Sequence, residues 1–247
     1  MKLFVDVGNT AMKWRLRDAD TLHQGGYAHD RDWVGVADIL AEVCVRPLNE
    51  LLVASVAGSE GDKVLRELLE KQLGVTPGFV YSSAFACGVS NAYQEPRRLG
   101  VDRWLATIEA WSRDGAAIVV DCGSALTIDS VNSEGAHQGG YIVPGLGMLR
   151  RSLLQNTADV HLAGPLPPAL GPGKSTTEGV EFGVLRMTVA FITDAVVELR
   201  KALPDTCSVF LTGGDARVVE RFLPMTVKME PDLVLDGLER LANEAPD

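Results

Sequence analysis

The alternation of apolar and polar residues predicts a chain in which β-strands and α-helices follow one another. Short apolar or alternating runs between turn residues indicate strands, and apolar residues at every third or fourth position indicate helices. The predicted strands are Lys2–Val7, Met12–Arg17, Thr21–Ala28, Leu51–Val56, Gly78–Tyr81, Ala116–Val120, Ala125–Val131, Gly139–Val143 and Ser208–Thr212. The predicted helices are Asp32–Val45, Glu60–Leu73, Val101–Ser112, Gly147–Gln155, Thr177–Ala202, Ala216–Phe222 and Pro231–Asn243. The segment Ser82–Gly100 is predicted to be a loop.

One pattern occurs twice, about half a chain length apart. FVDVGNTAMKWRLRD and VVDCGSALTIDSV each contain an apolar strand, an aspartate (Asp6 or Asp121), a glycine, a polar turn and a second strand. A duplicated β-hairpin at the start of each half predicts two halves with the same fold. We place the domain boundary between them at 114/115, which gives domains 1–114 and 115–247.

Composition and charge narrow the function classes. The chain has 247 residues, 46% of them hydrophobic, and a net charge of −10, which argues against a nucleic acid as the main partner. A small phosphorylated ligand stays possible, because a few amides and one cation can hold it. The four cysteines form no CxxC pair, which argues against zinc and fits a reducing compartment. No apolar run approaches the ~20 residues of a membrane span, so we expect a cytoplasmic protein without membrane contact.

The two aspartate-led hairpins have the features of phosphate-binding turns. Glycine allows the backbone to approach a phosphate, and successive N–H groups at a turn bind anions. The hydroxyl of Thr10 or Ser124 can donate to phosphate oxygens, and Lys13 can reach a β- or γ-phosphate. Asp6 can hold the accompanying Mg²⁺, directly or through water. Either hairpin alone is better explained by an ordinary turn, and the occurrence of two reverses that preference in favour of phosphate binding.

A third turn, Leu211–Ala216 (LTGGDA), follows a strand and precedes a helix. Gly213 and Gly214 would let an adenine ring or a ribose approach the backbone closely. The alternative is a simple connection in which Asp215 caps the next helix. Because it follows two phosphate turns, we interpret it as a candidate adenosine site.

A loop that enters a predicted helix carries the residues suited to an acceptor substrate. Asp102 can take the proton from an attacking hydroxyl, which is the role of the base in phosphoryl transfer. Arg103 offers a planar fork for a carboxylate and favours the ionised form of its neighbour. The alternative is an Asp–Arg pair that only caps the helix.

Taken together, these residues resemble the type III pantothenate kinases, of the acetate/sugar kinase, Hsp70 and actin superfamily. The resemblance covers nearly the whole chain, and the order and spacing of its motifs are specific. The motifs are DVGNTAMK (Asp6–Lys13), LGVDR (up to Arg103), DCGSALTID (Asp121–Asp129), GGYIVPGL (Gly139–Leu146), GKST (Gly173–Thr176) and LTGGDA.

The resemblance implies two RNase H-like α/β domains with a nucleotide cleft between them. It implies ATP-dependent phosphorylation of pantothenate, the first step toward coenzyme A, with Asp102 as the proton acceptor. It also implies a homodimer that binds pantothenate near the subunit interface, and K⁺ or NH₄⁺ at Asp121. The implied ATP contacts are Asp6, Val7, Gly8, Asn9, Thr10, Ala11, Met12, Lys13 and Ser124, a position that is often Thr in the family. The implied pantothenate contacts are Tyr93, Gly100, Val101, Asp102, Arg103 and Thr176.

Two other functions remain open at this point. The first is a kinase of the same superfamily that acts on a sugar or a short acid. The second is a non-catalytic ATP-binding regulatory protein, against which the Asp102–Arg103 pair speaks. Fold analogy alone would not decide between them.

Overall fold

The computed structural model describes residues 1–18, 21–156 and 170–244, with the backbone alone for 154–156. Within these ranges the chain forms two compact units. The first contains Met1–Glu109 and the C-terminal segment that starts at Asp232, and the second contains Ala110–Pro231. None of the helices in the described ranges is long and apolar enough to cross a membrane.

The first unit is built on a five-stranded mixed sheet with the strand order β3-β2-β1-β4-β5. β1 pairs antiparallel with β2 and parallel with β4, and β2 pairs antiparallel with β3. The strands are β1 (Lys2–Val7), β2 (Ala11–Asp18), β3 (Thr21–Ala28), β4 (Glu50–Ser55) and β5 (Gly78–Val80).

Four helices of the described residues belong wholly or in part to this unit: α1 (Trp33–Val43), α2 (Gly58–Leu73), α3 (Val101–Asp114) and α7 (Leu233–Asn243). Asp32 begins α1 as its N-cap, where its carboxylate accepts a hydrogen bond from the N–H of Gly35 at 3.0 Å. The buried faces of α1 and α2 pack with the inner residues of β1, β2 and β4 into one apolar core. Burial of these faces is the main force that holds each helix against the sheet.

The second unit repeats the same strand order in a second five-stranded sheet, β10-β9-β8-β11-β12. β8 pairs antiparallel with β9 and parallel with β11, as β1 does with β2 and β4. The strands are β8 (Ala117–Cys122), β9 (Ala125–Val131), β10 (His137–Pro144), β11 (Ser208–Thr212) and β12 (Lys228–Met229). The repeat confirms the prediction of an α/β protein with two like-folded halves.

In the described part of the second unit, three helices accompany this sheet: α4 (Leu146–Asn156), α5 (Thr176–Arg200) and α6 (Ala216–Glu220). The long helix α5 begins at a Ser175 N-cap, whose hydroxyl accepts a hydrogen bond from the N–H of Glu178 at 3.2 Å. Its buried residues pack with the inner face of β8, β9 and β11 into a separate apolar core.

The fold differs from the sequence-based expectation in three places. A two-stranded hairpin, β6 (Phe85–Ala86) and β7 (Val89–Ser90), and a short 3-10 helix (Pro96–Arg98) lie within the segment predicted as loop. Strand β12 was not predicted, because a two-residue strand carries no periodicity. The C-terminal helix α7 belongs to the compact unit of β1–β5, and the division between units falls within α3. The boundary at 114/115 stays a prediction.

Candidate active site

The first aspartate-led hairpin places Asp6 directly opposite Lys13 across β1 and β2. The turn is closed by a hydrogen bond from the N–H of Gly8 to the carbonyl of Ala11 at 2.9 Å. A Cβ on Gly8 would lie 2.9 Å from that same carbonyl oxygen, so the tight turn requires glycine. Asn9 and Ala11 are exposed, Asp6, Gly8 and Thr10 are half-buried, and Val7 and Met12 point into the core. The hairpin is thus held by two core side chains, while its polar residues lie at or near the surface.

Lys13 extends from this hairpin with about two-fifths of its side chain exposed. Its Nζ lies 3.8 Å from the carboxylate of Asp232, at the start of the C-terminal segment. An exposed pair at this distance contributes little to stability, so the ammonium can turn toward a phosphate at small cost.

His29 supports the same turn, and the sequence reasoning did not identify this role. The buried His29 ring places Nε2 3.2 Å from the carbonyl of Gly8, and its Nδ1 accepts a hydrogen bond from the N–H of Arg31 at 2.9 Å. Both bonds are satisfied by the neutral tautomer with the proton on Nε2. The N–H of His29 also donates to the carbonyl of Thr10 at 2.9 Å. His29 therefore fixes two carbonyl groups of the turn.

The second aspartate-led hairpin is one residue shorter. Asp121 lies opposite Thr127, and the N–H of Gly123 donates to the carbonyl of Ala125 at 3.1 Å. Because Asp121 corresponds to Asp6 in the two sheets, the position that corresponds to Lys13 is Thr127. The half-buried Ser124 stands in the middle of this turn.

The Gly213-Gly214 turn is brought beside the second hairpin by the parallel pairing of β11 with β8. Thr212 lies opposite Asp121, and the N–H of Asp215 donates to the carbonyl of Cys122 at 3.0 Å. A Cβ on Gly213 (φ +94°) would collide with Oδ1 of Asp121 and lie 2.6 Å from the carbonyl oxygen of Cys122. Two predicted motifs of the second unit thus meet at Asp121.

Burial and neighbouring negative charges shift the pKa values of the groups beside Asp121. Burial raises the pKa of the Cys122 thiol strongly, and the carboxylates of Asp121 and Asp215 raise it further. Burial also raises the pKa of Asp215, against the opposing charge of Arg150. Asp215 occupies the N-cap position of α6, but its side chain makes no capping hydrogen bond. Cys122 is therefore a buried thiol with a raised pKa, and the side chain of Asp215 does not cap α6.

The acceptor motif is organised around the start of α3. Asp102 is half-buried in the first turn, and one of its oxygens accepts a hydrogen bond from the N–H of Arg103 at 2.8 Å. Arg103 is buried, and its guanidinium donates to the hydroxyl of Tyr93 at 3.0 Å. The N–H of Tyr93 in turn donates to the side chain of Asn91 at 2.9 Å. The structure therefore brings Tyr93, Asp102 and Arg103 together with Gly100 and Val101.

Thr176 is exposed in the first turn of α5. It belongs to the second unit, whereas the other predicted acceptor residues belong to the first.

The described residues contain no group of three or more histidine, cysteine or acidic side chains placed to hold a metal ion together. A magnesium ion that arrives with a nucleotide needs only one or two carboxylates, water and phosphate oxygens. Asp6 is suited to that role. Asp121 and the carbonyl of Cys122 line the cradle that a Gly213 side chain would fill, which suits a cation with oxygen ligands.

Comparison with known proteins identifies the family. The family model of the type III pantothenate kinases matches residues 2–198. A type III pantothenate kinase of Alcanivorax borkumensis is 54% identical over 242 residues, which cover 98% of this chain and 98% of that protein. The chain belongs to the type III pantothenate kinase family. It is an enzyme of that type, and the resemblance seen in the sequence motifs is confirmed.

Solved structures show how widely the fold is shared. A Campylobacter jejuni protein of the Baf family of transcriptional activators superposes with a TM-score of 0.62 at 20% identity, over 97% of this chain and 96% of that one. A Sinorhizobium meliloti protein of 2-dehydro-3-deoxygalactonokinase type gives 0.59 at 12% identity, over 100% and 99%. At these identities the likeness concerns the fold alone, and it agrees with the architecture of two five-stranded sheets flanked by helices.

Proposed function

We propose that this enzyme transfers the terminal phosphoryl group of ATP to the primary hydroxyl of pantothenate and forms 4'-phosphopantothenate, the first step of coenzyme A biosynthesis. The proposal rests chiefly on the family match over nearly the whole chain. The Asp102–Arg103–Tyr93 group supports it, because these side chains offer a base and an anion holder for an acceptor alcohol.

Asp102 is the proposed base. Its carboxylate accepts the proton of the hydroxyl while the hydroxyl oxygen bonds to the terminal phosphorus and the bond from that phosphorus to the leaving ADP oxygen breaks. Its place in the first turn of α3 favours the negative charge, because the N-terminal end of a helix carries a partial positive charge. Most of the rate enhancement then comes from the positioning of the two substrates and from electrostatic stabilisation of the transition state.

Arg103 is proposed to hold the carboxylate of pantothenate, with Tyr93 fixing the guanidinium. Burial limits the guanidinium to few orientations, and it donates a hydrogen bond to the hydroxyl of Tyr93. A planar guanidinium is suited to a bidentate pair with a carboxylate. Gly100, Val101 and Thr176 complete the proposed pantothenate contacts.

The triphosphate is proposed to contact Asp6–Lys13 and Ser124, with the adenosine at Gly213 and Gly214. Asn9 is exposed at the tip of the tight turn, where an anion could approach the backbone. Magnesium bound with ATP near Asp6 would offset charge on the transferring group. K⁺ or NH₄⁺ is proposed at Asp121, where two oxygen atoms already line the cradle beside Gly213.

A homodimer is proposed as the working form, and the edge strand β10 supports it. Tyr141 and Ile142 on this strand are 42% and 59% exposed, and Met187 on α5 is 51% exposed. Tyr141 packs edge-on against Phe191 of α5, so it lies on the side of the sheet where α5 packs, and Ile142, the next residue of the strand, points to the opposite side. Light scattering should give twice the monomer mass, and Ile142→Lys should lower it. A cytoplasmic location is also proposed, and the four unpaired cysteines support it.

An ADP-release assay with and without pantothenate tests the proposal. We expect release that depends on pantothenate and falls when K⁺ is exchanged for Na⁺. Release that depends instead on a sugar or a short acid would favour another kinase of the superfamily. Nucleotide binding without any release would favour a regulatory protein.

A further inference from the structure

A cavity of about 540 Å³ lies in the first unit, beside the start of α3 but apart from the reacting side chains. Its wall is formed by the first turns of α2, the segment after β5 and the 3-10 helix. Four cationic residues line it, with one carboxylate: Lys63, Arg66, Arg97, Arg98 and Asp62. The cavity therefore has a local excess of positive charge, although the whole chain has a net charge of −10.

The N-terminus of α2 adds to the positive potential of the same cavity. Gly58 and Ser59 line it, and the N-cap residue Ala57 has no side chain that could bond to the first N–H groups. A Cβ on Gly58 would meet no atom within 4 Å, so the helix end opens on free space. The one lining carboxylate, on Asp62, accepts a hydrogen bond from the hydroxyl of Ser55 at 2.5 Å. Helix N-termini that are open in this way attract anions.

One of the cations is fixed in place, and a second stacks on an exposed ring. Arg66 donates to the carbonyl of Pro77 at 3.0 Å and lies over the ring of Phe79 at 4.7 Å, and Arg97 lies over the ring of Tyr81 at 5.1 Å. Arg98 pairs with Glu95 at 2.9 Å, but both side chains are about 70% exposed, so this pair holds the guanidinium weakly. Preorganised guanidinium groups bind phosphate oxygens well, because little side-chain freedom is lost.

The cavity borders the proposed acceptor site without containing its reacting groups. Its lining shares Gly100 and Val101 with the proposed pantothenate contacts, but it does not include Tyr93, Asp102 or Arg103, nor any of the residues from Asp6 to Lys13. A monocarboxylate such as pantothenate would use one or two of the four cations. A group with two or more negative charges fits the full set together with the open helix end.

We propose that this cavity binds a small multivalent anion of the phosphate or diphosphate class, separately from ATP and pantothenate. Because the lining joins α2 to the segment Arg97–Val101, a bound anion would stabilise the segment that leads into Asp102. Occupancy would then change the KM for pantothenate more than kcat.

Calorimetric titration with inorganic pyrophosphate tests the proposal. The reaction site is first filled with a non-hydrolysable ATP analogue, so that the phosphate hairpins are blocked. We expect one pyrophosphate per chain in the wild type, and an affinity at least about tenfold weaker in Lys63→Glu and in Arg97→Glu. Lys71→Glu makes the same charge change on the last turn of α2, away from the cavity lining, and should leave the affinity unchanged.

Three results would overturn the proposal. They are no binding in the wild type, an equal loss in all three variants, and displacement of pyrophosphate by pantothenate, which would assign the cavity to the acceptor substrate. The titration requires no turnover, so its failure is distinct from a failure of the proposed reaction in the ADP-release assay.

Discussion

Single side chains in this protein have narrowly defined surroundings at the proposed site. Asp121 is an example, since the absence of side chains on Gly123 and Gly213 leaves the room that its carboxylate occupies. A Cβ on Gly123 would lie 3.2 Å from Oδ1 of Asp121, and one on Gly213 would collide with it. Arg103 is a second example, because it is buried and bonded to Tyr93. At both places the local packing decides which way a charged group points.

Asp102→Asn should abolish turnover with only a modest loss of ATP binding. Asparagine keeps the shape and can still accept the hydrogen bond from the N–H of Arg103, so the start of α3 should be preserved. It cannot accept a proton from the hydroxyl, so the loss should fall on kcat, by about 10²-fold or more. Steady-state kinetics and equilibrium binding of an ATP analogue measure the two effects. A variant that retains most of its kcat would refute the assignment of the base.

Asp121→Ala should weaken the activation by K⁺. The substitution removes one of the two oxygen atoms in the cradle beside Gly213 and leaves the backbone carbonyl of Cys122 alone. The ratio of rates in K⁺ and in Na⁺ measures the effect, at equal ionic strength. An unchanged ratio would count against a cation role for this residue.

At the scale of elements, the two hairpins show what sequence patterns can and cannot predict. The strand pairs β1–β2 and β8–β9 were predicted from alternation, and the glycines marked the turns. The support from His29 could not be predicted, because it depends on the backbone path after β3, where Asp30 and Arg31 adopt positive φ values of 39° and 69°. A single histidine in a sequence does not indicate which carbonyl group its ring will bond to in the fold.

His29→Ala should raise the KM for ATP several-fold while changing the KM for pantothenate less. The variant loses the hydrogen bond to the carbonyl of Gly8 and the acceptor for the N–H of Arg31, so the first phosphate turn should become less ordered. His29→Gln should restore part of the effect, because its amide can donate to the same carbonyl. His23→Ala, at an exposed position of β3, is the matched control and should behave like the wild type. Equal changes in both KM values would indicate a general loss of structure.

Gly237→Ala should destabilise the packing of α7 against α3. A Cβ on Gly237 would collide with the carbonyl oxygen of Leu105 and lie 2.7 Å from its carbon, and helical backbone cannot move aside locally. Overpacking of this kind costs about 1–3 kcal/mol. Urea unfolding measures the change. Gly179→Ala on α5, where a Cβ would meet nothing within 4 Å, should instead be neutral or stabilising by up to about 1 kcal/mol. Similar stabilities of the two variants would contradict the close helix contact.

At the scale of the whole molecule, the duplicated fold could be read from the sequence, but the path of the C-terminus could not. The pattern that occurs twice, at Asp6 and at Asp121, predicted two halves with the same fold. Both sheets do have the same strand order. The chain then returns to its first unit, where Gly237 fits against Leu105 and Arg15 binds Asp236 at 2.5 Å. These contacts join residues more than 130 positions apart, and no local pattern in the sequence records them.

Ion pairs help to hold the C-terminal helix α7 against β2, so we expect acid to weaken this packing. Glu239 accepts hydrogen bonds from Arg17 at 2.7 and 2.8 Å and from the buried Arg15 at 3.2 Å. Burial raises the pKa of Glu239, but the hydrogen bonds and charges of the two arginines outweigh it, so the net pKa is lowered. A lowered carboxyl pKa means that the stabilisation is complete above the unfolded value of about 4.3 and is lost as the pH falls through the folded value.

Glu239→Gln should therefore lower the free energy of unfolding by about 1–3 kcal/mol at pH 7, and the difference from the wild type should shrink below about pH 4. Urea unfolding followed by tryptophan fluorescence measures it, because Trp14, Trp33 and Trp104 all lie in the first unit. Glu67→Gln, at an exposed position of α2, removes the same charge and should have little effect at either pH. If the deficit of Glu239→Gln were the same at about pH 2.5 as at pH 7, the ionised carboxylate would not be what holds α7 to β2.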